Sequence, residues 1–139
     1  MKKTVIIIIG LALIVSGAYA SGNFSKKTIK VKEPTANQKI ARENPNSAVT
    51  FIELGSVNCV PCRMMQPVMD EVENKYKGQV KVVFHDVWTP EGRPFGEQYG
   101  IRAIPTQVFL DKEGKEYYRH VGFFPVDELE AVLKLKGVK

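Results

Sequence analysis

Both cysteines of this chain stand in one four-residue segment, Cys59-Val60-Pro61-Cys62, wedged between a short apolar run and a longer amphipathic one. Two cysteines so close together cannot form a disulfide framework, so the fold must rest on a hydrophobic core. The 139 residues, 44% of them apolar, suffice for one ordinary globular domain with some length to spare. Collagen, coiled coil, wholesale disorder and a multidomain enzyme are excluded on the same grounds.

The segments around the cysteines alternate in character. Val49 to Leu54 (VTFIEL) is a β-rich apolar run that follows the turn cluster Asn44-Pro45-Asn46-Ser47. Val60 to Lys77 reads as a helix, with Met64, Met65, Val68, Met69, Val72 and Tyr76 recurring at three- and four-residue steps and Gly78 as its stop. Val80 to Val87 is a second strand, and Pro90 to Tyr99 a loop leading into a short helix. Gln107 to Leu110 and Glu116 to Val121 read as strands joined by Asp111-Lys112-Glu113-Gly114, a turn suited to an antiparallel hairpin. Asp127 to Lys136 closes the chain as an amphipathic helix, and Pro34 to Arg42 fits a short helix ahead of the first strand. This order predicts an α/β domain with a central mixed sheet and helices on both faces. Trp88 and the methionines Met64, Met65 and Met69 are expected to pack inside, whereas Phe123 and Phe124 fit either an exposed rim or a place under the last helix.

The first twenty residues read as an export signal: Lys2 and Lys3, the apolar run Val5 to Val15, then Ala18-Tyr19-Ala20 ahead of Ser21. An uncleaved membrane anchor is the alternative, although the stretch from Val5 to Ala20 is shorter than the ~18 to 20 residues a spanning helix uses. On either reading the remainder lies outside the cytoplasmic membrane, where disulfides are permitted. Residues 21–34 read as a basic tether and 35–139 as the domain. The cations concentrate early: residues 21–46 carry six against two anions, which leaves a net charge of −1 for residues 47–139. A domain so balanced offers no basic face for nucleic acid.

The chemistry lies in the two cysteines. A spacing of three sets Cys59 and Cys62 on one face of a helical first turn, at a separation that a disulfide can bridge. Cys59 falls at the helix N-terminus, whose unpaired N–H groups and dipole favour the thiolate. Cys62 lies one turn in and is expected to be the less exposed. Cys59 is therefore the expected attacking thiol and Cys62 the resolving one. Pro61 is tolerated because the first helical turn does not use its N–H, whereas Pro67 lies deeper and is expected to kink the helix. Two thiolates make only half a tetrahedral zinc site, and His85 and His120 fall on separate strands, so no metal is expected. A purely structural disulfide here would close the kind of short loop that gains least.

A second segment, Tyr99-Gly100-Ile101-Arg102-Ala103-Ile104-Pro105-Thr106, places Pro105 at the mouth of an apolar strand, where proline is allowed. On sequence alone its peptide bond is an ordinary trans one. Taken together, FIELGSVNCVPCRMMQP, YGIRAIPT and Gly122 resemble the thioredoxin superfamily over residues 35–139. The resemblance implies the thioredoxin fold, with Pro105 cis and packed against the cysteine loop. It further implies a substrate groove in which the Ile104 backbone pairs with an extended segment, Gly122 lines the wall, and Asn58, Val60 and Pro61 border the thiols. The export signal and the Val-Pro dipeptide are similar to the TlpA-like membrane-side thioredoxins.

Departures from the family pattern are informative. Asn58 stands where the family has tryptophan and Val60 where it has glycine. The family's buried aspartate, six residues before the first cysteine, is matched by Glu53. The resemblance gives Glu53 the proton of Cys62 as that thiol becomes a nucleophile, a role that burial would support by raising its pKa. The family's lysine partner on the neighbouring strand has no match among Val82, Val83 and Phe84. The expected activity is thiol-disulfide exchange with no cofactor beyond the two thiols. The direction expected is protein-disulfide reduction by a monomer. By the family pattern, its clients are disulfide-bearing exported proteins such as apocytochrome c, and its electrons come from a membrane thiol-disulfide donor. The alternatives are a dithiol oxidase and a non-catalytic binding module.

Overall fold

The computed structural model describes Asn37, Lys39 and residues 45–139. The leader of residues 1–20 and the tether of residues 21–34 lie outside the described residues. Of the short helix expected over Pro34 to Arg42, Asn37 and Lys39 are described, and both are helical.

Seven elements follow. They are strand β1 (Val49–Gly55), helix α1 (Val60–Lys75), strand β2 (Val80–Asp86), helix α2 (Arg93–Gln98), strands β3 (Thr106–Asp111) and β4 (Glu116–Val121), and helix α3 (Val126–Lys134). The sheet order is β2-β1-β3-β4. β1 runs parallel to β2 and antiparallel to β3, and β3 pairs antiparallel with β4. The mixed sheet that the element order predicts is therefore present, and β1 lies inside it with a partner along each edge.

Because successive strand side chains point to opposite faces, β1 divides its residues between two cores. Val49 and Phe51 join Met65, Val68, Met69 and Val72 of α1 and Leu129, Val132 and Leu133 of α3 on one face. Ile52 and Leu54 join Val108, Leu110 and Tyr99 on the other, where Phe95 of α2 closes the layer. Helices thus cover both faces, and every residue of β1 is buried. Phe51 stacks on its cross-strand partner Phe109 with ring centroids 5.0 Å apart. Lys75 pairs with Glu130 and ties α1 to α3. The β3–β4 turn closes on Asp111, whose Oδ1 accepts the N–H groups of Glu113 and Lys115 at 3.2 and 2.9 Å.

Two packing expectations are corrected. Met65 and Met69 are buried, but Met64 is 52% exposed, because it sits about 100° round the helix from Met65 and off the buried stripe. Trp88 is 57% exposed rather than packed. Its backbone N–H donates to Asp86 Oδ1 in a turn that has already left the sheet, and Val87, Phe95 and Ile101 cover the apolar face there instead. The two phenylalanines after Gly122 divide: Phe124 lies in the core and Phe123 on the surface. α1 runs through Pro67 to Lys75.

The Phe51–Phe109 stack lies inside the core between the sheet and helices α1 and α3, so truncation there removes packing from its centre. Phe51→Ala is expected to destabilise the reduced protein by about 3–5 kcal/mol in urea unfolding. Trp88→Ala, by contrast, is expected to stay within about 0.5 kcal/mol. A Phe51→Ala cost no larger than that of Trp88→Ala would contradict this account of the core.

Candidate active site

The C-terminal end of β1 and the N-terminal end of β3 lie side by side, and the site is built where the chain leaves them. The register pairs Glu53 with Gln107 and Leu54 with Thr106, so the β1–α1 loop and Pro105 emerge from adjacent strands at one end of the sheet. The Ile104–Pro105 peptide bond is cis. Pro105 is buried and Ile104 beside it is half-buried. The Pro105 carbonyl accepts the N–H of Gly122 at 2.8 Å. Gly122 holds φ at +100°, a conformation that a side chain would strain. The sequence-predicted groove residues Ile104, Pro105 and Gly122 are thus brought together.

Cys59 caps the N-terminus of α1 with extended backbone, and its carbonyl accepts the first helical hydrogen bond from Arg63 at 3.0 Å. Both cysteines are present as free thiols. Cys59 is 8% exposed and Cys62 3%, the order that their places in the helix predict. Around them Asn58, Val60 and Pro61 are exposed. The Cys62 thiol is pushed up to about 12, first by burial, then by its hydrogen bond with Cys59 and by the charges of Cys59 and Glu53, while the Ser56 backbone counters in part.

Three contributors escaped the sequence reading. Gly55 lets α1 settle on the end of β1: a Cβ there would stand 3.2 Å from Cys62 Cβ and 3.3 Å from its Sγ. Its one visible signal is a glycine that ends an apolar strand beside a CxxC. Asp86 fixes the loop before Cys59, its Oδ2 accepting the Val57 N–H at 3.1 Å while Oδ1 takes that of Trp88. Exposed Val57 and Trp88 therefore flank the same turn. Gln107, fully buried, donates from Nε2 to the Gly122 carbonyl at 3.1 Å. A hollow of about 330 Å³ opens on the Cys62 side, lined by Ser56, Val57, Cys62, Arg63, Gln66 and Phe84. A larger polar cleft of about 400 Å³ lies at the opposite end of the sheet, around Lys77 and Val80, away from the thiols.

Glu53 lies behind the pair. It shares the α1 face of the sheet with Phe51, is fully buried, and has Phe84 and Gln107 as its partners on either side. Neither carboxylate oxygen has a hydrogen-bond partner among the described residues. Burial raises its pKa to about 8, and the nearby Gln107 amide tempers the shift. That amide lies close enough to act on the carboxyl, but its placed hydrogen bond goes to Gly122. Among the described residues no group of three or more His, Cys, Asp or Glu side chains is gathered closely enough to hold a metal ion.

Residues 35–136 match the description of a thioredoxin-like domain. The chain belongs to the thioredoxin-like family. It is 36% identical over 103 residues to thioredoxin 1 of Synechococcus elongatus, covering 74% of this chain and 91% of that one. Against thioredoxin 1 of Nostoc sp. the identity is 42% over 76 residues, 55% of this chain and 68% of the relative. The thioredoxin of Synechocystis sp. gives the same identity over the same length and the same shares of the two chains. As a thioredoxin-like protein with a paired dithiol at a helix N-terminus, the chain is a thiol-disulfide oxidoreductase.

The raised carboxyl pKa of this thioredoxin-like domain has a consequence for stability. A carboxyl whose folded pKa lies above its ordinary value of 4.5 contributes fully below that value. The contribution is lost as pH rises towards 8, because the unfolded chain gives up its proton first. Complete expression of the shift amounts to at most about 5 kcal/mol. Glu53→Gln is therefore expected to gain stability over the native chain as pH is raised from 5 to 8.5 in urea unfolding. A gap between the two that does not change with pH would contradict the burial of an ionisable Glu53.

Proposed function

We propose that this protein is an exported protein-disulfide reductase in which Cys59 attacks, Cys62 resolves and Glu53 takes the resolving proton. The Cys59 thiolate attacks one sulfur of a substrate disulfide; a mixed disulfide forms and the other substrate sulfur leaves as a thiolate. Cys62 then passes its proton to the Glu53 carboxylate and attacks Cys59 Sγ. The Cys59–Cys62 disulfide forms and the second substrate thiolate leaves. Two electrons have moved to the substrate, and no cofactor beyond the two thiols is required.

The observation that carries the reading is the asymmetry of the pair. Of the four causes that raise the Cys62 pKa, two come from Cys59, its hydrogen bond and its charge. Both disappear once Cys59 is held in a mixed disulfide, so the first step makes Cys62 easier to deprotonate for the second. A carboxyl raised by burial stands ready to receive that proton. The groove reading assigns substrate pairing to Ile104 beside cis-Pro105, with Gly122, Asn58, Val60 and Pro61 around it.

Export rests on Lys2, Lys3, the apolar run and Ala18-Tyr19-Ala20. Among the described residues no helix is long and apolar enough to cross a membrane. In this setting the clients are disulfide-bearing exported proteins, apocytochrome c among them, and a membrane thiol-disulfide donor returns the electrons. The names of the relatives favour reduction over oxidation, each being a thioredoxin.

Direction is settled by the reduction potential of the Cys59–Cys62 couple, equilibrated against glutathione or dithiothreitol and read by thiol alkylation. A value near the thioredoxin end of the scale, about −270 mV, is expected; one near about −120 mV would make the protein a dithiol oxidase. Absence of any reversible couple would leave only a binding module.

A further inference from the structure

Glu53 and Gln107 face each other across β1 and β3, both fully buried, in an otherwise apolar layer. Directly paired residues on one sheet face hold their Cβ atoms about 4.5–5.5 Å apart, within reach of each other's side chains. Four buried side-chain polar atoms among the described residues have no hydrogen-bond partner: both oxygens of Glu53, Oε1 of Gln107, and Nε2 of His85. Three of the four belong to this one pair. An orphaned polar atom in a core is costly, so two such side chains facing each other are the natural partners for one another's polar atoms.

The chemistry of a primary amide suits that place. Gln107 uses one Nε2 hydrogen on the Gly122 carbonyl, which leaves the second hydrogen and the whole of Oε1 free. An ionised Glu53 needs a donor, and the second Nε2 hydrogen is one. A protonated Glu53 needs an acceptor for its O–H, and Oε1 is one. A lysine would serve the ionised carboxyl alone, and a leucine neither state. β2 presents the apolar Phe84 at the corresponding position, so β3 supplies the partner.

We propose that Gln107 is the positioning residue for Glu53, an amide that partners the carboxyl in both protonation states and ties it to the Gly122 wall of the substrate groove. The inference rests on the reading of Glu53 as proton acceptor. Among the described residues the other titratable groups on this face are few. α1 brings Cys62, with Cys59 beyond it; β4 brings His120, which pairs with Gln107 in the ladder and stacks on Phe124. α3 contributes the apolar Leu129, Val132 and Leu133 to this face. Among the described residues the Gln107 amide is the group that counters burial of the charge. Through Gly122, whose N–H holds the Pro105 carbonyl, the same amide joins the proton acceptor to the groove residues.

The test separates the two chemical steps in the full-length reduced protein with an aromatic disulfide as probe. Attack by Cys59 is followed as the first aromatic thiol released, and resolution by Cys62 as the second, from pH 6 to 10. In Gln107→Met, which keeps the length and removes both amide functions, the attack rate is expected to hold. The midpoint of the resolving step should move up by about one pH unit, which makes resolution at pH 7 about tenfold slower. Gln107→Asn, which keeps donor and acceptor, is expected to recover part of that shift. A methionine variant with the native midpoint would overturn the proposal. So would equal slowing of both steps, or loss of folding in both variants, since each marks a purely structural residue. Glu53→Gln run alongside distinguishes the failures: if it resolves at the native rate, the proton-acceptor reading itself falls. If it slows while Gln107→Met does not, only the role of Gln107 falls.

Discussion

A carboxyl group buried beneath a dithiol is the constraint to which the rest of this structure answers. Placing Glu53 on a strand paired along both edges, in the same face as Phe51, removes it from water. Such a group is tolerated only if it spends much of its time protonated or if a partner meets its charge. Here burial keeps its pKa near 8, so within the ordinary range of pH the carboxyl can both take and release a proton. The same apolar layer that imposes this, built from Phe51, Phe109, Met65 and Phe124, also holds α1 against the sheet. The helix thereby sets Cys62 over the strand end, where the absence of a side chain at Gly55 leaves its sulfur room. Stability and chemistry therefore draw on one set of contacts.

On the proposed mechanism the two thiols divide the work because α1 begins where it does. Cys59 caps the helix among exposed neighbours and is slightly the more exposed of the two, and Cys62 packs against Gly55. Their mutual hydrogen bond and charge make the inner thiol reluctant to ionise until the outer one is engaged. The proposed ordering of steps is thus a property of position within a single helical turn. The placement of the proposed groove residues follows from register: cis-Pro105 opens β3 at the level where β1 ends, and Gly122 at the end of β4 is hydrogen-bonded to it.

Much of this was legible in the sequence, and the reasons are local. The apolar run ending at Gly55, the CxxC at a helix start and the three-and-four spacing after it each carry their meaning within a dozen residues. Glu53 was legible only through the family pattern, since alternation with Phe51 says which face it shares but not that the face is covered. Gln107 was invisible for a stronger reason: its meaning depends on the residue opposite it on another strand, and cross-strand register is not written in either strand alone. Met64 fits the helical spacing yet lies at the edge of the stripe, and Trp88 is of a core-filling type but sits on a turn that leaves it outside the core. The cis state of Pro105 was expected from the family resemblance, while the residues alone favoured the trans bond.

The most direct test of this account is the titration of Glu53 itself. In protein labelled with ¹³C at glutamate side-chain carboxyls, the Glu53 resonance, assigned by its loss in Glu53→Gln, is followed from pH 4 to 10 in the reduced state. The account predicts a midpoint far above the ordinary carboxylate range, near 8. A midpoint close to 4.5 would show an ordinary ionised carboxylate, and the proton path from Cys62 would have to be sought elsewhere.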